Sequence, residues 1–126
     1  MSDDIVKDDI VKVDKPWGYE LHWARTDRYV GKVLHVRAGH ALSLQYHERK
    51  DETIYLWSGR LHFEYGAGEP LTSREMRPGD RMHITPLMLH RMTALEDCDI
   101  LEVSTPELDD VVRLEDRYGR ADQRRR

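Results

Sequence analysis

Cysteine is almost missing from this chain: Cys98 is the only one in 126 residues. That excludes an intramolecular disulfide and a structural zinc site built on thiolates. Asp97 and Asp99 flank the thiol and would raise its pKa, so Cys98 reads as a packed or surface residue and not as a nucleophile. No apolar run approaches the roughly 20 residues needed to cross a bilayer. The opening Met1-Ser2-Asp3-Asp4 is acidic where a signal peptide would be basic. The sequence therefore predicts a cytoplasmic protein with no membrane partner. An excess of one charge is absent too, because 20 Lys and Arg stand against 24 Asp and Glu for a net charge of −4. No nucleic-acid partner is indicated by such a balance.

What the chain does have is a succession of short, alternating segments separated by turn residues. Leu61, Phe63 and Tyr65 alternate with Arg60, His62 and Glu64, the period of a strand. Further strands are predicted over 19–24, 29–37, 71–76, 81–85, 90–95 and 99–104, with turns at Lys15-Pro16-Trp17-Gly18, Gly66 to Pro70 and Arg77-Pro78-Gly79-Asp80. Turn signals every 8 to 12 residues are the pattern of an all-β sandwich or barrel. The length allows one domain. Residues 1–14 read as a flexible tail or an edge strand and 121–126 as a basic tail. Only Pro106 to Tyr118 has any helical character, so a short C-terminal helix or tail is expected there.

The chemistry concentrates between Gly39 and Gly59. Ser43, Gln45 and His47 fall on one face of a strand, and Glu52 opens the next one after the charged turn Glu48 to Asp51. If the second strand folds back antiparallel on the first, Glu52 comes up beside His47. An amide oxygen, an imidazole and a carboxylate then converge as an N/O metal site lacking a fourth ligand.

With the strands laid out, the pattern resembles the cupin superfamily, a small jelly-roll barrel or double-stranded β-helix. Gly39, His47, Glu52 and Gly59 fall in register with the first cupin motif, and Gln45 stands where its first histidine would be. Gly79 and His90 keep the spacing of the second motif, although Thr85-Pro86-Leu87 puts a leucine in place of that motif's glycine. A closer likeness is to the C-terminal cupin domain of type II mannose-6-phosphate isomerases. It rests on Lys15-Pro16-Trp17-Gly18-Tyr19, on Leu42-Ser43-Leu44-Gln45-Tyr46-His47, and on Glu115-Asp116-Arg117-Tyr118-Gly119-Arg120, and so covers about 15–120. In that family glutamine in the first ligand position is normal. The family's His-Trp pair after the glutamate is replaced here by Thr53-Ile54.

The resemblance implies a single-domain cupin over 15–120 holding one divalent metal per chain on Gln45, His47, Glu52 and His90. Two imidazoles, one carboxylate and one amide suit Zn, Mn, Co, Fe or Ni without choosing among them. It also implies an aldose–ketose isomerase acting on a phosphorylated sugar through a metal-stabilised enediolate. His62, Glu64 and His35 are then the candidate bases, and Lys32, Arg37, Arg49, Arg113 and Arg120 the candidate phosphate-binding cations. Two other functions fit such a barrel: a metal-dependent dioxygenase, for which Leu87, Met88 and Leu89 beside His90 would suit an apolar substrate, and a non-catalytic sugar-binding cupin. His22, His40 and His83 read as ordinary strand or turn residues. A homodimer is expected, because paired copies cover exposed sheet edges.

Overall fold

The structure is a computed structural model that describes residues 10–121. The first nine residues of the expected tail or edge strand, and 122–126 of the basic tail, lie outside the described residues.

The described chain forms strands and no helix. They are β1 (Val11–Lys15), β2 (Gly18–Arg25), β3 (Val30–Val36), β4 (Leu44–Tyr46), β5 (Glu52–Ser58), β6 (Leu61–Gly66), β7 (Thr72–Met76), β8 (Arg81–Ile84), β9 (Leu89–Ala94), β10 (Cys98–Ser104) and β11 (Val112–Glu115). Among the described residues no helix is long and apolar enough to cross a membrane. Two antiparallel sheets result, one ordered β1-β2-β3-β10-β5-β8 and the other β11-β4-β9-β6-β7. This is the all-β jelly-roll cupin architecture that the turn spacing and the motifs predict.

Alternation decides what each strand buries. Leu34 and Val36 of β3, Ile54 and Leu56 of β5, Leu61 and Phe63 of β6, and Ile100 of β10 are all sealed from water and meet between the sheets. Burying each such side chain contributes about 1.5–3 kcal/mol. The residues between them point outwards. Strand β2 runs against this habit, because its aromatic face is the outer one: Tyr19 stacks on His35 with ring centroids 4.9 Å apart, and Trp23 is 54% exposed.

Two turns require special backbone. Gly59 ends β5 with φ 95°, and a Cβ there would lie 2.2 Å from the Asp97 carbonyl oxygen, so only glycine fits. Leu87 adopts φ 71°, the left-handed conformation that the cupin motif's glycine would hold without cost.

Two expectations are corrected. The segment expected to be a C-terminal helix or tail contains β11, which pairs Val112 with Tyr46 and Arg113 with Gln45. The open edge of β4 supplies backbone partners, and extended geometry buries Val112 at 4% exposure. The hairpin expected between the strands of Gln45 and Glu52 does not form, since β4 and β5 belong to different sheets. Glu52 approaches His47 across the sandwich instead.

Candidate metal centre and its cavity

Three elements deliver the donor atoms. Gln45 of β4 lies directly opposite His90 of β9 in the antiparallel register, which puts both side chains on one face of the five-stranded sheet. His47 follows β4, and Glu52 opens β5 in the facing sheet. His47 Nε2 lies 2.8 Å and His90 Nε2 4.0 Å from Glu52 Oε2, and the three residues are 3%, 1% and 3% exposed respectively. One ligand atom from each falls within 4.8 Å of the others.

The protonation pattern aims lone pairs into this space. His47 Nδ1 donates to the Asp110 carbonyl oxygen at 2.6 Å, and His90 Nδ1 donates to the Met88 carbonyl oxygen at 2.9 Å. With the proton fixed on Nδ1, each Nε2 is left as a bare donor, the arrangement that second-shell carbonyls give to metal-bound histidines. Burial pushes the His90 imidazole down to about 4, so it stays neutral, despite the opposing charge of Glu52. Burial alone would raise the Glu52 carboxyl, and the charge of Lys50 beside it pulls it down. His47 Nε2, His90 Nε2 and Glu52 Oε2 are all buried without an aligned hydrogen-bond partner. Three lone-pair atoms facing one another in the interior are costly when nothing lies between them. A divalent cation removes that cost, so the group can hold a metal and its donors fit one. Gln45 Oε1 accepts from Ser43 Oγ at 2.6 Å, which leaves it a second lone pair, and the residue lines the cavity beside His47 and Glu52.

A cavity of about 240 Å³ opens from these residues between the sheets, with Gln45, His47 and Glu52 in its wall. The rest of the wall is rich in charge. Lys32 of β3, Arg113 of β11 and Arg120, three of the five candidate cations, line it, and Lys15, Lys50, Glu20, His22 and Glu102 join them. Glu20 Oε1 lies 2.8 Å from His22 Nε2 and 3.3 Å from Lys32 Nζ, and Oε2 is 4.0 Å from Lys15 Nζ. Burial disfavours the Glu20 carboxylate, yet Lys32, His22 and Lys15 hold its pKa below the ordinary value. Lys50 bridges Glu102 at 3.0 Å and Glu52 at 3.9 Å. Burial and the charge of Glu52 push the Glu102 carboxyl up, against the pull of Lys50. At the other end the cations crowd one another. Burial and then Arg120 lower the Arg113 guanidinium, while burial, Arg113, Lys32 and Arg120 lower Lys15 against the pull of Glu20.

The remaining sequence candidates lie elsewhere. His62 and Glu64 alternate with the buried Leu61 and Phe63 and so face outwards, not into the interior as expected, and Glu64 is held by Arg91 at 2.8 Å. His35 also faces out, bound to Asp99 at 2.7 Å. Arg37 donates to the Pro16 carbonyl oxygen at the surface, and Arg49 lines a separate surface hollow with Glu107 and Asp109. Conversely, Lys15, Glu20, His22, Lys50 and Glu102 escaped the sequence reading. The alternation of Glu20 and His22 was the available signal. It was masked because the opposite face of β2 carries the aromatic residues that normally mark the inside.

No protein-family profile and no curated protein sequence matches the chain. Solved structures do. The chain is similar to KdgF from a Halomonas species, at 25% identity over 79% of this chain and 88% of that one, with a TM-score of 0.69. It is also similar to oxalate decarboxylase from Bacillus subtilis, at 16% identity over 84% of this chain with a TM-score of 0.73. The third is the capsular polysaccharide assembling protein CapF from Staphylococcus aureus, at 17% identity over 86% with a TM-score of 0.71. The chain spans only 30% and 35% of the last two. Two facing antiparallel sheets, a buried His-Glu-His group between them and these structural likenesses together give the chain the fold of the cupin superfamily.

Proposed function

We propose that the protein is a metal-dependent cupin that takes a small anionic sugar, of the sugar-phosphate class, into the polar cavity and moves a proton between two of its adjacent carbons. That is the reaction of an aldose–ketose isomerase, in line with the resemblance to type II mannose-6-phosphate isomerases. One observation carries the reading: partnerless metal-ligating atoms line the same cavity as Lys15, Lys32, Arg113 and Arg120, and Arg113 Nε is buried without a hydrogen-bond partner. A divalent metal on His47, Glu52, His90 and Gln45 supplies a Lewis acid that polarises a carbonyl and its neighbouring hydroxyl.

The chain's own residues do the rest. Arg113 and Lys15 hold the anionic group, with Arg120 fixed beside them by its paired contacts to Asp116 at 2.9 and 3.0 Å. Each cation is relieved of its neighbours' repulsion when an anion enters. His22, resting on Glu20, takes the proton from the hydroxyl-bearing carbon and returns it to the former carbonyl carbon, while the hydroxyl proton passes to the former carbonyl oxygen; such a base is worth roughly 10²- to 10⁴-fold in rate. His22 takes the place of His62, Glu64 and His35, which face away. The dioxygenase alternative loses support from the charged walls, since an apolar substrate would have to desolvate several ions.

The test is metal analysis followed by turnover. Protein purified without added metal carries a divalent ion, His47→Ala loses it while keeping its β-sheet circular dichroism, and the loaded protein interconverts mannose 6-phosphate and fructose 6-phosphate. Metal retained by His47→Ala would show the ligands wrong, and no turnover with zinc, manganese or cobalt would sink the isomerase. The same reading includes a homodimer, supported by Trp23, Tyr55, Trp57 and Val103 exposed on the outer face of the six-stranded sheet. A monomeric mass in solution would remove it.

A further inference from the structure

The chain between the ligands His47 and Glu52 is gripped by a residue about sixty positions away. Three successive backbone N–H groups, those of Glu48, Arg49 and Lys50, donate to the two carboxylate oxygens of Asp110 at 3.0, 2.7 and 2.8 Å. Such convergence of neighbouring amides on one anion fixes the path of the turn that carries them. The backbone carbonyl of the same Asp110 accepts the Nδ1 proton of His47. Thr105 completes the grip, its Oγ1 accepting from the Asp51 amide at 3.0 Å while its own N–H donates to the Asp51 carbonyl oxygen at 3.0 Å. Position, ring orientation and tautomer of one ligand, and the route of the chain to the next, thus converge on one side chain and its own carbonyl.

We infer that Asp110 is a positioning residue for the metal centre, holding His47 as the Nδ1–H tautomer with Nε2 turned towards Glu52 and His90. The inference rests on the metal reading of the site. Asp110 touches neither the donor atoms nor a substrate. Removing its carboxylate frees three amides, lets the 48–50 turn drift, and pulls the His47 ring away from the carbonyl that fixes its proton. Outer-shell partners of this kind are worth about 10- to 100-fold in metal affinity.

The experiment compares the full chain with Asp110→Ala, Asp110→Asn and Asp97→Ala. Asp97 is the control, a carboxylate that accepts a single backbone N–H from Ala38 at 2.7 Å in the turn before β10. Zinc affinity is read by competition with a chromophoric chelator, and the His47 tautomer by the nitrogen shifts of the metal-free protein in NMR. Asp110→Ala should bind zinc about 10- to 100-fold more weakly and lose the uniform Nδ1–H signature, and Asp110→Asn, which keeps one acceptor oxygen, should fall between. Asp97→Ala should lower thermal stability and leave both site measurements unchanged. The inference is overturned if Asp110→Ala keeps the wild-type affinity and tautomer, or if Asp97→Ala loses as much as Asp110→Ala. Should Asp110→Ala fail to fold, Asp110→Asn carries the same comparison. If the wild type takes no zinc, the functional reading falls, while the tautomer still decides the role of Asp110.

Discussion

The two ends of the sandwich are built from the same strands and differ completely in chemistry. Strand β5 begins with the buried Glu52 and continues inwards with Ile54 and Leu56; β3 offers Lys32 and then Leu34 and Val36; β10 offers Ile100 and then Glu102. One two-residue period serves both ends. At one end the inward row is hydrocarbon packed against hydrocarbon, and at the other it is a set of buried ions and imidazoles, with Lys50 between Glu102 and Glu52 and Lys32 on Glu20. Buried ion pairs contribute little net stability, because desolvation offsets their attraction. The apolar end therefore carries the stability and the polar end the chemistry, and the sheets join them rigidly.

Three interventions sharpen that division. The largest effect is expected from Leu56→Ala, which opens a cavity in the apolar end and should cost about 2–5 kcal/mol in denaturant unfolding. Metal affinity of the folded fraction should stay near wild type; an affinity falling with stability would show the two ends are not separable. Acid should act at the opposite end. His90 has a folded pKa of about 4 against 6.5 for a free imidazole, so the unfolded chain takes up the proton first. Stability of the metal-free protein is then full above pH 6.5 and is lost as the pH falls towards 4, by up to about 3 kcal/mol. A His90→Gln variant should lack that slope, and an unchanged slope would assign it to other groups. The smallest effect lies in the turn between the two histidine ligands. Leu87 holds φ 71° and its N–H donates to the His47 carbonyl oxygen at 2.7 Å. Leu87→Gly relieves the left-handed strain and should raise stability by about 1 kcal/mol or less. A loss in melting experiments would mean that the leucine side chain contributes more than its backbone costs.

Much of this architecture was legible in residue order. Strand β6 announces itself through Leu61 and Phe63, alternation gathers Gln45, His47 and Glu52 as candidates, and the resemblance to the cupin motifs adds His90. The alternation of a strand defines two faces without saying which of them is inside. For β6 the apolar face is the inner one, so His62 and Glu64 point away from the site. For β2 the polar face is the inner one, because Glu20 finds partners in Lys32 and Lys15 on the two flanking strands and His22 rests on Glu20. Those partners come from other strands, and no local pattern records them. The fate of residues 112–115 was hidden for the same reason, since the edge of β4 decides that they extend and no local preference does.

The placement of the tryptophans has a spectroscopic consequence. Trp17 is 2% exposed and forms part of the cavity wall, whereas Trp23 and Trp57 stand 54% and 64% open to water on the outer sheet face. Where no second copy covers that face, a dissolved quencher such as acrylamide reaches the outer two and spares the inner one. The emission that survives quenching comes from the indole beside the cavity, and the protein thus carries its own optical gauge of what enters there.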